Sequence, residues 1–352
     1  MKRRSFLKAV GSVAAGGAAA AWWPGFIEAG EVEIGRGGMP LRALGRTGEK
    51  VSMVGFPGLA LSNYDQHTCN RGLLKAWEQG VNYFDVAPAY GRDGICEVKM
   101  GIGLQGIPRD RIFLSCKTKK RDKAGARQEL ERSLRRLKTD HFDLYQMHCI
   151  FTEDEVAKGL GPDGAMETIL KAKEEGKIRF IGFSAHTTKG GVAALKGFDF
   201  DTVMFPINYV EYFHFGFGRE IIELAREKGT GVIAIKPLLA GSWAQGEQRT
   251  RQWWYKCTET QEHADLAMRY TLSQANVAAG IPPSYLDLTD MAIAAAKNYQ
   301  PITDEELKKL EVMAKEAGSV FTREQQRAGL DGGMEPCYAR SGCPYSSGRM
   351  MA

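Results

Sequence analysis

The chain has 352 residues, 43% of them hydrophobic and 25% charged, enough to bury a full core and unlike the composition of a disordered or fibrous protein. Its formal charge of +5 invites a polyanionic partner, but Lys2, Arg3, Arg4 and Lys8 all stand at the extreme N-terminus. Without residues 1–29 the balance is 43 basic against 41 acidic residues, or +2, which excludes a broad basic face for nucleic acid.

The chain starts with KRRSFLK, residues 2–8, followed by an Ala/Gly/Val run over 9–21. Adjacent Arg3 and Arg4, then Phe6, Leu7 and Lys8, then the apolar run, resemble a twin-arginine export signal occupying residues 1–29. A basic start before an Ala/Gly linker is the plainer alternative. The run is too short and too rich in alanine for a stable membrane span. Small residues around Ala29 allow cleavage there, with Ala21 as a second site. The resemblance implies that the twin-arginine export machinery is a partner and that the protein is periplasmic or otherwise extracytoplasmic, exported already folded.

Residues 40–56 read as a hairpin whose second arm, 51–54, leads towards Gly55 and Gly58. Beyond it, helix and strand alternate. Helices are expected at 70–78, 97–104, 124–137, 165–175, 188–195, 220–228 and 262–272. The strands that follow them are expected at 81–85, 111–117, 142–148, 178–184, 202–205, 231–236 and 277–281, with a last helix near 288–296. Counting 51–54 as the first, eight strands are each followed by a helix. The pattern predicts an α/β protein, a (β/α)8 TIM barrel over residues 30–320 with an N-terminal β-hairpin and a C-terminal extension, 321–352. An open doubly wound sheet is the alternative, but no G-x-G-x-x-G follows the first strand.

Barrel enzymes carry their chemistry at the C-terminal ends of the strands. Asp85, Lys117 and His148 end three consecutive predicted strands, and Tyr90 lies in the loop after Asp85. Singly, a strand-end lysine is usually solvated and a lone histidine usually a satisfied core residue. A carboxylate ending a buried strand, however, needs a cationic partner, and Lys117 is available.

These residues give the chain its resemblance to the aldo-keto reductases, which spans roughly 40–317. SLRRLKTDHFDLYQMH, residues 133–148, is an especially specific part of it. The resemblance implies a catalytic tetrad of Tyr90, Asp85, Lys117 and His148, a small carbonyl or alcohol substrate, and NAD(P)H as cofactor. Reducing a carbonyl builds negative charge on its oxygen, so a proton donor is needed within hydrogen-bond reach. Tyr90 fills that role, with the Lys117 ammonium expected to lower its pKa, Asp85 to fix Lys117, and His148 to orient the substrate oxygen. No metal site is expected.

For the cofactor, the resemblance points to Ser184 and Asn208 at the carboxamide, to Lys236, Pro237 and Leu238 on the seventh-strand loop, and to Ser284 on the eighth. Ile235 stands where relatives carry an aromatic that stacks on the nicotinamide, and Lys236 either meets a phosphate or is solvated. Pro283 replaces a glycine and offers no N–H to an anion. Asp287 and Asp290 are acidic where NADP would place its 2′-phosphate, which weakens the case for NADP and leaves NAD open. A periplasmic barrel that has lost nicotinamide binding and serves as a binding or partner protein is the alternative function.

The loop 239–262 holds Trp243, Trp253, Trp254 and Tyr255 among Arg249, Arg251 and Lys256, and reads equally as a lid over the mouth or as an aromatic cluster packing the loop down. Cys116 and Cys149 read as small buried hydrophobes. In the tail, Cys337 and Cys343 are too few for a cubane cluster, so a disulfide or free thiols and no iron are expected.

Overall fold

The structure is a computed structural model and describes residues 31–322 and Gln325. The expected export signal and the pair Cys337 and Cys343 lie outside the described residues. Three short strands open the described chain: β1 (Glu33–Ile34), β2 (Pro40–Ala43) and β3 (Lys50–Ser52), an antiparallel sheet in that order. The barrel strands are β4 (Gly55–Pro57), β5 (Tyr83–Asp85), β6 (Phe113–Thr118), β7 (Phe142–Ile150), β8 (Ile178–Ala185), β9 (Thr202–Pro206) and β10 (Gly231–Ile235), with β13 (Val277–Ile281) as the eighth. Between the last two, β11 (Leu239–Gly241) and β12 (Lys256–Cys257) form a small antiparallel pair.

The eight barrel strands pair in sequence order, all parallel. Between β13 and β4 the seam narrows to a parallel bridge of Val54 with Gly280, whose N–H donates to the Met53 carbonyl at 2.9 Å. This is the expected (β/α)8 TIM barrel. Its first strand begins later than 51–54: residues 50–52 stay paired to β2 in the hairpin, and only from Val54 does the chain join the barrel. Leu44 and Val51 of the hairpin pack with Tyr83, Phe113, Leu144 and Ile233 inside the barrel, so the hairpin plugs the floor. Gly45 permits that approach, since a Cβ there would lie 2.2 Å from the Gly231 nitrogen.

Alternation along each strand decides what lines the interior. Tyr83, Phe113 and Phe180 form an aromatic layer near the floor, with Tyr83 edge-on to Phe113 at 5.5 Å and Phe113 stacked on Phe180 at 6.4 Å. Two residues further along, Asp85, Ser115 and Gln146 point inward, and Lys117 and His148 follow. The apolar floor thus excludes water beneath a polar upper layer.

Helices α1 (Gln66–Glu78), α2 (Ile95–Gly103) and α3 (Lys123–Leu137) follow the first three barrel strands. In α3 the buried residues Ala126, Leu130, Leu134 and Leu137 recur at three- and four-residue steps, and the Asp122 side chain caps the start by accepting the Gly125 N–H at 2.7 Å. Two helices follow β7, α4 (Glu153–Leu160) and α5 (Ala165–Glu174); α6 (Thr188–Gly197) follows β8. After β9 come α7 (Tyr209–Phe215) and α8 (Arg219–Lys228), then α9 (Gln261–Leu272), α10 (Leu286–Lys297) and α11 (Asp304–Glu316). Of these, α4, α7 and α11 were not anticipated. Among the described residues no helix is long and apolar enough to cross a membrane.

Candidate active site

Asp85 ends β5 and is buried, as is Lys117 near the end of β6, whose Nζ donates to Asp85 Oδ2 at 2.5 Å. Lys117 Nζ also lies 3.3 Å from the Val86 carbonyl. The other carboxylate oxygen accepts from Ser115 Oγ at 3.1 Å, and that hydroxyl accepts from Gln146 Nε2 at 2.8 Å. One chain of hydrogen bonds across three strands therefore holds the ion pair. Burial still pushes the Asp85 carboxyl up from its usual value, opposed by the charge of Lys117.

Tyr90 sits half-buried with its ring edge-on to His148 at 5.6 Å. Lys117 Nζ lies 5.1 Å from the centre of the Tyr90 ring. The ammonium therefore faces the ring while donating to Asp85, and burial of the phenol outweighs the lowering that a nearby cation brings. Burial, and next the charge of Asp85, hold Tyr90 well above its ordinary value, so it stays protonated at neutral pH and is ready as a donor. His148 is pushed well below its usual range, first by burial and then by the charges of Lys119 and Lys117. Its Nδ1 is buried without a hydrogen-bond partner among the described residues.

All four tetrad candidates converge at the C-terminal mouth of the barrel. There a narrow cavity of about 70 Å³ is lined by Asp85, Tyr90, His148, Ser184, His186, Ile235, Lys236 and Ser284, with Trp253, Trp254 and Tyr255 over it. Ser184, Lys236 and Ser284 of the predicted cofactor set thus reach the wall. Ser184 Oγ is already engaged, accepting the Cys149 N–H at 2.7 Å. Lys236 is buried, not solvated, with Nζ 3.2 Å from His186 Nε2 and beside the rings of Trp254 and Phe321. Asn208, Pro237 and Leu238 do not line the cavity: Asn208 caps α7 through the Glu211 N–H at 3.0 Å, and Leu238 is core.

The aromatic loop both packs and covers. Trp243 Nε1 donates to the Trp253 carbonyl at 2.9 Å, and Tyr285 donates to the Gln252 carbonyl at 3.0 Å. Arg251 makes a two-pronged pair with Asp287 at 3.2 and 2.5 Å, while Asp290 pairs with Lys75 at 2.7 Å. Both acids at the start of α10 are therefore paired, Asp287 by a cation from a distant loop.

Several supporting residues escaped the sequence reading. Arg121 donates to the His148 carbonyl at 2.7 Å and pairs with buried Glu155 at 3.2 Å, bracing the turn after His148. Glu211 accepts from Ser319 Oγ and the Val320 N–H, both at 2.6 Å, and so delivers Phe321 to the mouth. Thr152 and Glu155 carry a readable signal, a capping box at the start of α4. The partner of Glu211 has none, because it lies more than a hundred residues away.

A pH consequence follows from the two buried histidines, His148 and His186, both held well below the usual imidazole value by burial. Below about pH 6.5 the unfolded chain binds protons that the folded chain refuses, so stability falls as pH falls. Each histidine contributes up to about 1.4 kcal/mol per pH unit. Urea unfolding followed downward from about pH 7 should show stability falling as the unfolded imidazoles take up protons, and His148→Gln and His186→Gln should each flatten that fall.

Comparison with known proteins matches this geometry. L-galactose dehydrogenase of Arabidopsis thaliana is 30% identical over 222 residues, 57% of this chain and 66% of that protein. D-threo-aldose 1-dehydrogenase of a Pseudomonas species is 25% identical over 207 residues, 50% of this chain and 61% of that protein. The chain spans less than two thirds of the length of these curated relatives. An aldo-keto reductase from Bacillus halodurans, solved in its holo form, superposes with a TM-score of 0.64 at 26% identity, covering 81% of this chain and 99% of that one. The model of the Aldo/keto reductase family matches residues 56–315, from the first barrel strand to the last helix, and the chain therefore belongs to that family of oxidoreductases.

Proposed function

We propose that this protein interconverts a small carbonyl compound and its alcohol with NAD(P)H, using Tyr90 as the general acid and base. The observation that carries the reading is the convergence of Tyr90, His148 and the Lys117–Asp85 pair around one cavity, since nothing in barrel packing requires those four residue types to meet. The wall fits a nicotinamide ring: Ile235, Met204 and Ile281 offer an apolar surface, flanked by Ser184 and Ser284. Such a cofactor, when bound, supplies the hydride.

The remaining steps belong to the chain's own residues. His148, in the cavity wall, orients the substrate oxygen, and the neutral Tyr90 hydroxyl gives its proton as charge develops there. The buried Lys117 ammonium, fixed by Asp85, offsets the negative charge left on the phenol. Arg251 and Tyr285 tie the aromatic loop across the wall, so the loop lifts to admit a dinucleotide. Titration of the purified protein with NADPH and NADH, followed by nicotinamide fluorescence, tests the reading. Saturable binding of one of them supports it, and binding of neither overturns it.

Residues 1–29 favour export by the twin-arginine route, with a periplasmic site of action. Replacing Arg3 and Arg4 together by lysine should keep the protein in the cytoplasmic fraction, unprocessed, while its activity in a lysate is unchanged. Fractionation followed by immunoblotting checks this, and continued export of the variant would remove the assignment.

A further inference from the structure

Beside the tetrad runs a second chain of reactive side chains that carbonyl reduction does not use. Lys236, directly after β10, places Nζ 3.2 Å from His186 Nε2, and His186 Nδ1 lies 3.5 Å from Cys149 Sγ. His186 follows β8 and is held between Phe151, stacked at 5.6 Å, and Phe321, stacked at 6.2 Å. The order is that of an activated nucleophile: a reactive group, a base within hydrogen-bond reach, and a third group orienting the base.

Two backbone features support a built arrangement. Lys236 has φ +61° and Cys149 has φ +65°, in the left-handed region that costs a residue with a side chain on the order of 1 kcal/mol. Both strained residues stand at the mouth, and both turn towards His186. The two ends of the chain are not equivalent. His186 and Lys236 line the cavity that holds Tyr90 and His148, whereas Cys149 is fully buried and lies outside its lining. The group that meets a ligand is therefore the amine, and the thiol orients the imidazole from behind.

Burial brings the Lys236 ammonium down to about 7 and keeps His186 well below its usual range. Among the described residues, the charged and titratable groups acting on Lys236 include His186, Cys149 and Glu211, with the rings of Trp254 and Phe321 over the amine. Near neutral pH the amine is thus half deprotonated, beside an imidazole able to accept a proton.

We propose that Lys236 is an imine-forming lysine, with His186 as its base, that takes small aldehydes or ketones entering the Tyr90 cavity. The Nζ lone pair attacks the carbonyl carbon, and the π pair moves to oxygen, which takes up a proton. The nitrogen supplies that proton by way of His186 Nε2, and the carbinolamine then passes its second N–H proton by the same route to the departing oxygen, which leaves as water while the C=N bond forms. Both hydrogens of the amine leave in that water, hydrolysis reverses the sequence, and no oxidant or reductant enters. Hydride transfer plays no part, so only entry of a carbonyl is shared with the reductase reading.

The test is reductive trapping of the purified full-length protein with limiting acetaldehyde and cyanoborohydride near pH 7, read by peptide mass mapping. An ordinary lysine has only about one amine in a thousand neutral at that pH. Lys236 should therefore be modified at least about tenfold faster than any other lysine, with a rate that rises through a midpoint near pH 7. His186→Gln, which keeps the amine, should slow that labelling by about tenfold. Tyr90→Phe should label as the wild type does, so loss of reductase activity and loss of imine formation can be told apart. Labelling spread evenly over surface lysines, or a Lys236 left unmodified because it serves a cofactor phosphate, would overturn the proposal.

Discussion

Tyr90→Phe is expected to reduce carbonyl turnover by about two to four orders of magnitude, the usual contribution of a positioned general acid. Its unfolding midpoint should stay close to that of the wild type. The ring keeps its edge contact with His148 and its place beside Lys117, and the hydroxyl removed makes no hydrogen bond to a described residue. Loss of rate without loss of stability separates a catalytic hydroxyl from a structural one. The comparison is made by steady-state kinetics with NAD(P)H beside thermal unfolding of both proteins, and wild-type turnover in the variant would remove Tyr90 from its role.

Lys117→Met is expected to have the largest effect on folding. It leaves Asp85 buried beneath the mouth with Ser115 as its remaining side-chain donor. Removing one partner of a buried pair costs about 3–5 kcal/mol, because the charge left behind is uncompensated. Asp85 escapes part of that cost by staying protonated, and its carboxyl is already raised by burial. The sign for pH follows: a carboxyl whose folded pKa lies above its unfolded value destabilises the fold as pH rises between the two. The deficit of the variant should therefore shrink towards acid pH, and the double variant Asp85→Asn with Lys117→Met should recover much of it. Urea unfolding of the three proteins at two pH values measures this, and a deficit independent of pH would contradict it.

Much of this architecture is legible from local pattern. Strands such as Gly231–Ile235 and Val277–Ile281 are near-continuous apolar runs because they are covered on both faces, and α3 shows its stripe plainly. The tetrad is legible because each member ends a strand or follows one closely. The first barrel strand was misplaced because residues 50–52 are as strand-like as 55–57, and only pairing to β2 assigns them to the hairpin. Helices α4 and α11 carry capping boxes, Thr152 with Glu155 and Thr303 with Glu306, which are local signals for their starts. Pairings such as Arg251 with Asp287, or His186 between Cys149 and Lys236, depend on closure of the barrel and have no local signature. The same limit explains Tyr90. A nearby lysine held by Asp85 was legible, but that its ammonium would face the ring was not.

Hydride transfer itself is the central claim, and deuterium tracing tests it most directly. NADPH or NADH carrying deuterium at the transferable position is mixed with the purified protein and a panel of small aldehydes and ketones, and the alcohols formed are examined by mass spectrometry. The account predicts one deuterium on the former carbonyl carbon, at a rate that Tyr90→Phe cuts by about two to four orders of magnitude. Alcohol formed without the label, or no alcohol from any carbonyl with either cofactor bound, would contradict it.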